Sequence, residues 1–270
     1  MQLYFAFPFV NAISTKNHQG SSGSNPNLLD NWIVDHIESQ AFENPSCPHD
    51  LDASLALKQD RGSWPPSSLM SEERYIPGAT TIGMVCRDGV LLASERRYSY
   101  GTFVMSKGAK KVFSITDNIG VACAGIVGDM QVLTREARAY MKIYQYERDR
   151  QGSVKNTAKL IANLLSSRRM FPYLAETIIA GVSNGKPELY VLDAIGSVLA
   201  DKFAAVGTGA PIAIGVLESE YNEGMSVDEA KPVLLRAVKS AMARDISSGD
   251  GVDLMVITEQ GIREESNRFS

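Results

Sequence analysis

Gly78-Ala79-Thr80-Thr81-Ile82-Gly83 is the stretch from which the organisation of the chain is read. It joins an irregular, Pro-punctuated leader to a segment, residues 79–270, with the length and patterning of one compact domain. A glycine followed by small hydroxyl residues and an alternating strand is what a chain needs if it is cut there, leaving a threonine at or near a new N-terminus. Such a threonine carries a hydroxyl nucleophile and an α-amine base on one residue. The same residues also read simply as the start of a strand, because Thr is a common strand former.

Composition narrows the chemistry. The chain has 270 residues, 44% of them hydrophobic, enough for one domain with an appendage. A net charge of −4 and the single short cluster Lys107, Lys110, Lys111 give no footprint for nucleic acid. No apolar run reaches the 18 or so residues that span a bilayer. The apolar opening Leu3 to Val10 lacks a preceding Lys or Arg and is interrupted by Pro8, unlike a secretory signal. Cys47, Cys86 and Cys123 are odd in number and widely spaced, which suits a reducing cytoplasm better than a disulfide framework. His18, His36 and His49 all precede the body, so a hydrolase built from the body would need a base other than histidine, and histidine-rich metal sites are not expected there.

Within the leader, Gly20 to Asn27 has linker composition, and Leu29, Trp32, Ile33, His36 and Ile37 recur at helical spacing, predicting a helix over 28–42. Met70 to Gly78 would itself make a short leader, which sets residues 1–69 apart from it. The body opens with a hairpin expected at Thr80 to Val85 and Val90 to Ser94, turned by Asp88-Gly89, then a loop through Tyr98 to Thr102. A second hairpin is expected at Val112 to Ile115 and Ile119 to Ala124. Two helices follow: one striped by Leu133, Ala137, Tyr140, Met141 and Tyr144, the other by Val154, Ala158, Ile161 and Leu165. Hairpins return at Thr177 to Val182 with Leu189 to Leu192, and at Val198 to Ala200 with Phe203 to Val206. Helices over 210–218 and from the Ser226-Val227-Asp228-Glu229 capping box to about Arg244 precede a strand at Val252 to Thr258. This order describes an α+β domain of mainly antiparallel sheets with helices outside.

Thr80, Thr81, Glu95, Lys111, Thr208, Asp245 and Ser248 share an address at strand ends and loops. Taken alone, Glu95 and Lys111 read as a surface ion pair, Asp245 as a turn residue and Ser248 as its local backbone partner.

A resemblance unites them. Ala79-Thr80-Thr81-Ile82-Gly83, Leu92 to Arg97, Gly108 to Lys111, Ala124 to Asp129, Val206 to Gly209, Gly215 to Tyr221, and Arg244-Asp245 with Ser247-Ser248-Gly249 follow the order and spacing of archaeal proteasome β subunits. From Gly78 onward the chain resembles that family of N-terminal-nucleophile hydrolases; residues 1–69 lie outside the match, and 1–78 are expected to form an extension and propeptide-like segment. The resemblance implies a four-layer αββα sandwich of two antiparallel sheets between helical layers. It also implies four stacked seven-membered rings, with α-ring subunits and other β subunits as partners, a regulatory ATPase acting on the assembled core, and unfolded polypeptides as substrates. No cofactor, metal, membrane or nucleic acid is implied, and the expected location is cytoplasmic.

By the same resemblance, Lys111 would depress the amine pKa of the nucleophile and Glu95 would orient Lys111. The Gly125 N–H would serve as oxyanion donor. Asp245, Ser248 and Thr208 would hold the α-amine and a nearby water, Thr208 standing where the family more often has Ser. Tyr98, Ser99, Cys123 and Val127 would line a pocket for a hydrophobic side chain before the scissile bond. The departure is at the nucleophile itself: counted from Gly83, Glu95 and Lys111, the family's threonine position is Ala79. Three explanations stand side by side: a naturally silent ring subunit that relies on an active paralogue, an engineered block to self-cleavage, or cleavage after Ala79 that exposes Thr80 one residue out of register.

Overall fold

The computed structural model describes residues 78–268. The helix expected over 28–42, the three histidines and Cys47 lie outside them. Strands β1 (Thr81–Cys86) and β2 (Gly89–Glu95) form the first hairpin, with Arg87 and Asp88 in the turn, one residue earlier than expected. β5 (Val112–Thr116) and β6 (Ile119–Gly125) form the expected second one, after a small hairpin of β3 (Tyr98–Tyr100) and β4 (Phe103–Ser106). Helices α1 (Val127–Arg148) and α2 (Val154–Ser167) follow, then β7 (Ala175–Ser183), β8 (Lys186–Leu192), β9 (Leu199–Asp201) and β10 (Phe203–Val206). The body ends with α3 (Ala210–Glu220), α4 (Val227–Met242), β11 (Gly251–Thr258) and β12 (Gly261–Arg268).

Two antiparallel sheets form, in the orders β10-β1-β2-β11-β12 and β5-β6-β7-β8-β9. Strand alternation decides the layers. In β1, Ile82 and Met84 join the core under α3 and α4 with Leu217, Leu234 and Val238. Between them Gly83 faces the other sheet, and a Cβ there would run into Leu189 and Ile178 of that sheet and Leu92 of its own. In β6, Val121 and Cys123 pack with Leu133, Met141 and Leu165 under α1 and α2, while Ala122 and Ala124 turn into the inter-sheet cluster. The small residues Gly83, Ala122 and Ala124 let the two sheets approach closely. Each large aliphatic side chain in these clusters is worth roughly 1.5–3 kcal/mol of burial. The result is the expected αββα sandwich: α1 and α2, then the β5–β9 sheet, then the β10–β12 sheet, then α3 and α4.

Helix termini follow local chemistry. Ser153 Oγ accepts from Asn156 N at 3.2 Å to start α2. Ser226 and Glu229 form a reciprocal capping box that starts α4. Two expectations are corrected. The residues around 98–102 are not a plain loop, since β3 and β4 pair there. β9 and β10 are strands but not a hairpin: β9 pairs with β8 and β10 with β1. Only Lys202 separates them, too little chain for a hairpin turn, so the backbone steps there from one sheet to the other.

Candidate active site at the first strand

Ala79 and Thr80 immediately precede β1, and the alternation of that strand governs where their side chains go. Ala79 is buried in the inter-sheet cluster with Leu92, Ala122, Ala124 and Val206. Thr80, equally buried, points to the opposite face, where its Oγ1 lies 2.7 Å from Ser248 Oγ. Ser248 Oγ donates to Asp245 Oδ2 at 2.6 Å, so Thr80 must be the donor to Ser248. Thr208 Oγ1 donates to the same carboxylate oxygen at 2.7 Å, and Ser247 N donates to Asp245 Oδ1 at 3.1 Å. Three hydroxyls thus feed one carboxylate.

The segment between β10 and α3 closes over residue 79. Gly209 N donates to the Ala79 carbonyl at 3.3 Å. Gly207 has φ +92, and any Cβ there would overlap that carbonyl oxygen, so glycine is required twice over. Glu176 on β7 accepts from Gly207 N at 2.8 Å and anchors the segment from the other sheet. Gly78 lies against Ser247, with no room for a side chain.

Lys111, at the entrance to β5, reaches the end of β2. Its Nζ donates to Glu95 Oε1, to the Glu95 carbonyl at 3.2 Å and to the Arg97 carbonyl at 2.6 Å, which uses all three ammonium protons. Glu95 Oε2 accepts from Arg97 N at 2.6 Å and Gly249 N at 3.1 Å. The side chains are 1% and 0% exposed, so the reading of a surface ion pair is wrong. Strand spacing alone cannot tell a pair at the open end of a sheet from one roofed by the 247–250 turn, and here the turn roofs it. Burial pulls the lysine below its usual pKa and pushes the Glu95 carboxyl above its own, each opposed by the charge of the other. The two groups of residues meet through the backbone, since Glu95 N donates to the Thr80 carbonyl at 3.2 Å and Gly249 adjoins Ser248.

Gly125 ends β6 with φ +139, and a Cβ would overlap the Leu174 carbonyl oxygen. The next amide, Ile126 N, donates to that oxygen at 2.8 Å, and Leu174 N donates to Asp129 Oδ2 at 2.9 Å. Of the expected pocket residues, Tyr98 is half-buried and Ser99 buried on β3, while Val127 is half-buried at the first turn of α1. Cys123 is fully buried in the helix-side core, and burial pushes its thiol up to about 12. Sequence reasoning gave no site role to Glu176 or Ser247. It also missed the Arg97 guanidinium, which donates to Asp250 Oδ2 at 2.8 Å and to the Ile246 carbonyl at 2.9 Å and so holds the roofing turn. Residue type signals nothing for Glu176, since only the fold brings β7 under Gly207. Among the described residues no His, Cys, Asp and Glu group has the arrangement of a metal site.

The family model described as proteasome subunit matches residues 77–257. The chain is 45% identical over 181 residues to a protein named proteasome subunit beta 1 from Ignicoccus hospitalis, covering 67% of this chain and 91% of that one. It is 44% identical over 197 residues to proteasome subunit beta 2 of Caldivirga maquilingensis, covering 73% and 98%. It is 46% identical over 190 residues to proteasome subunit beta 1 of Nitrosopumilus maritimus, covering 70% and 96%. On the strength of that coverage, and of a sandwich with a buried Lys-Glu pair beside its first strand, the chain belongs to the proteasome subunit family as an archaeal-type β subunit.

Proposed function

We propose that this subunit builds part of a proteasome core particle without supplying a nucleophile of its own. The family is one of threonine-type peptidases, and the groups that the resemblance assigns to the surroundings of a reacting N-terminal residue are present: Lys111 with Glu95, the Asp245, Ser248 and Thr208 cluster, and the Gly125 turn. The observation that carries the proposal is the facing of two neighbours. At the position family spacing assigns to the nucleophile stands Ala79, whose methyl packs between the sheets. The first available hydroxyl, that of Thr80, is on the other face and bonded to Ser248. A one-residue step along a strand reverses the facing, and catalytic groups tolerate misplacement of only about 0.5 Å.

In this reading the subunit occupies a seven-membered β ring beside α-ring subunits, lends chamber wall to unfolded polypeptides admitted by a regulatory ATPase in the cytoplasm, and relies on an active paralogue for cleavage. A second reading has one observation in its favour: the relay from Thr80 through Ser248 to Asp245 links a hydroxyl to a carboxylate, so cleavage after Ala79 would free a threonine already joined to a proton acceptor. Intact mass and N-terminal sequencing of the assembled particle, with a fluorogenic peptide assay, separate the two. The silent reading expects a chain that keeps Gly78 and Ala79 and cleaves nothing, and an Ala79→Thr variant that is processed after Gly78 and gains activity. A mature chain beginning at Thr80 in a particle that cleaves peptide would overturn it.

A further inference from the structure

Where the chain steps from one sheet to the other at Lys202, the sandwich is open. β9 is an edge of one sheet and β10 an edge of the other, and beside them, between β8 and the end of β1, lies a cleft of about 550 Å³. Small-molecule sites run from roughly 300 to 1,000 Å³. The floor of the cleft is apolar, made by Val85 of β1, Pro187, Leu189 and Tyr190 of β8, and Tyr221 after α3. Its walls are fixed by hydrogen bonds. Val85 N donates to the Lys202 carbonyl at 2.7 Å, and Tyr221 Oη donates to the Val85 carbonyl at 3.1 Å. The Tyr221 ring also packs against Phe203, with centroids 4.9 Å apart. A ligand would therefore meet a preformed shape, with little ordering left to oppose binding. The cleft is separate from the candidate active site: Val85 lies roughly 13 Å along β1 from Thr81 at about 3.3 Å per residue.

Charge at the rim restricts what can bind. Lys202 pairs with Glu223, and Lys186 with Glu188 at 3.6 Å. Two rim charges are left over. The Arg87 guanidinium, in the turn after β1, donates to the Gly224 carbonyl at 3.5 Å, and among the described residues no carboxylate is within ion-pair distance of it. Glu229 is near enough for Arg87 to help lower its pKa, but the Ser226 backbone and hydroxyl, each at 2.8 Å, come first and hold that carboxylate. Asp201 Oδ1 accepts from Lys202 N at 2.7 Å, and among the described residues Asp201 has no Lys or Arg partner either. A simple carboxylate would match Arg87 and be repelled by Asp201, and a simple amine would do the reverse; a zwitterion on an apolar body satisfies both and suits the floor. We propose that this cleft binds a short apolar peptide with free termini, of about dipeptide size, its carboxylate on Arg87 and its ammonium on Asp201. An extended dipeptide spans about 6–7 Å. Hydrolysis of polypeptides, the reaction class of the family, releases molecules of this kind. The assignment does not depend on how residues 78–80 are processed, so it stands or falls apart from the silent-subunit reading.

The test is calorimetric titration of the full chain with leucyl-phenylalanine, its N-acetyl derivative, which lacks the ammonium, and its C-terminal amide, which lacks the carboxylate. The free dipeptide is expected to bind saturably, and each blocked form about tenfold more weakly, the usual worth of one charge-assisted hydrogen bond. Arg87→Gln should weaken the free dipeptide about tenfold and leave the amide within about twofold of its wild-type affinity, because the amide has no carboxylate to lose. Asp201→Asn should do the same for the N-acetyl form. Both side chains are exposed, so neither substitution disturbs the core. Ala200→Trp, at an exposed position on the wall of the cleft, should fill it and abolish binding in a chain still folded by circular dichroism. Three results overturn the assignment. One is the absence of saturable binding by the wild type, and another is equal affinity for the free dipeptide and either blocked form, which is apolar adsorption alone. The third is undiminished binding by folded Ala200→Trp, which puts the dipeptide elsewhere on the protein.

Discussion

At the scale of single residues, the site is shaped as much by missing side chains as by present ones. A Cβ at Gly209 would overlap Thr80 Oγ1 and come within 3.1 Å of the Ala241 Cβ. The hydroxyl that bonds Ser248 therefore depends on a glycine one hundred and more residues away. Gly209→Ala is expected to cost about 1–3 kcal/mol in urea unfolding, the usual range for overpacking a tight site. Thr80→Ala removes the overlapping oxygen and also a buried hydrogen bond, at about 1 kcal/mol alone. The double variant should be more stable than the sum of the two losses predicts, with a coupling of about 0.5 kcal/mol or more. Additive losses would mean that Gly209 serves the backbone alone. Thr81 has a different partner set, its Oγ1 lying 2.9 Å from both Ser94 Oγ and the Cys123 carbonyl, so it ties the two sheets together. Two adjacent threonines that look equivalent in the sequence are thus separated by strand parity into a link to the helix-side relay and a link across the sandwich.

At the scale of elements, the Glu95 and Lys111 pair joins the end of β2, the start of β5 and the turn before β11. Its isolation from water makes one-sided removal costly: Lys111→Met is expected to destabilise by about 3–5 kcal/mol, and Glu95→Gln added to it should recover part of that loss, because an unpaired buried carboxylate is then gone. Thermal unfolding of the two variants checks the order. The roofing turn has its own acid sensitivity. The Arg97 guanidinium, hydrogen-bonded to Asp250, holds that carboxyl below its ordinary value of 3.8. A depressed carboxyl contributes stability that is present above 3.8 and is lost as pH falls through the lower folded-state value. Asp250 also sits at φ +68, a conformation that Asn tolerates well. Asp250→Asn should therefore keep the turn, lower stability near neutral pH, and flatten the profile of stability against pH on the acid side of 3.8. An unchanged acid slope would assign the acid transition to other carboxylates. Much of this was legible beforehand, since α2 starts and ends where periodicity places it and Ser226 with Glu229 announces α4. The partner of each strand was less legible: Val198 to Val206 shows the alternation of strands, but nothing in it says that β9 and β10 belong to different sheets.

At the scale of the whole molecule, it is the resemblance to proteasome β subunits that draws Glu95, Lys111, Thr208, Asp245 and Ser248 together in the sequence, whereas burial, which turned an apparent surface pair into an enclosed one, appears only when the layers stack. Stacking also makes a prediction about cooperativity. Cys86 packs under α3 and α4, whereas Cys123 packs under α1 and α2. Burial pushes both thiols up to about 12, and they are 3% and 0% exposed. In a Cys47→Ser variant, neither should react with a thiol reagent at pH 8 in the native state, because the thiolate is the nucleophile and both thiols lack solvent contact. Labelling must then wait for opening. The two outer cores are not independent, since Leu92 and Met255 of one sheet and Ile178 and Leu189 of the other share the inter-sheet cluster. Exposing either thiol means lifting a helix pair off its sheet, and a sheet stripped of its helices is left held only by the inter-sheet cluster that it shares with the other half. Both cysteines should accordingly be labelled at the same rate, with the same dependence on urea, set by global unfolding. Faster labelling of Cys86 with a shallower urea dependence would show the α3 and α4 half opening by itself, and with it the hydroxyl relay around Thr80.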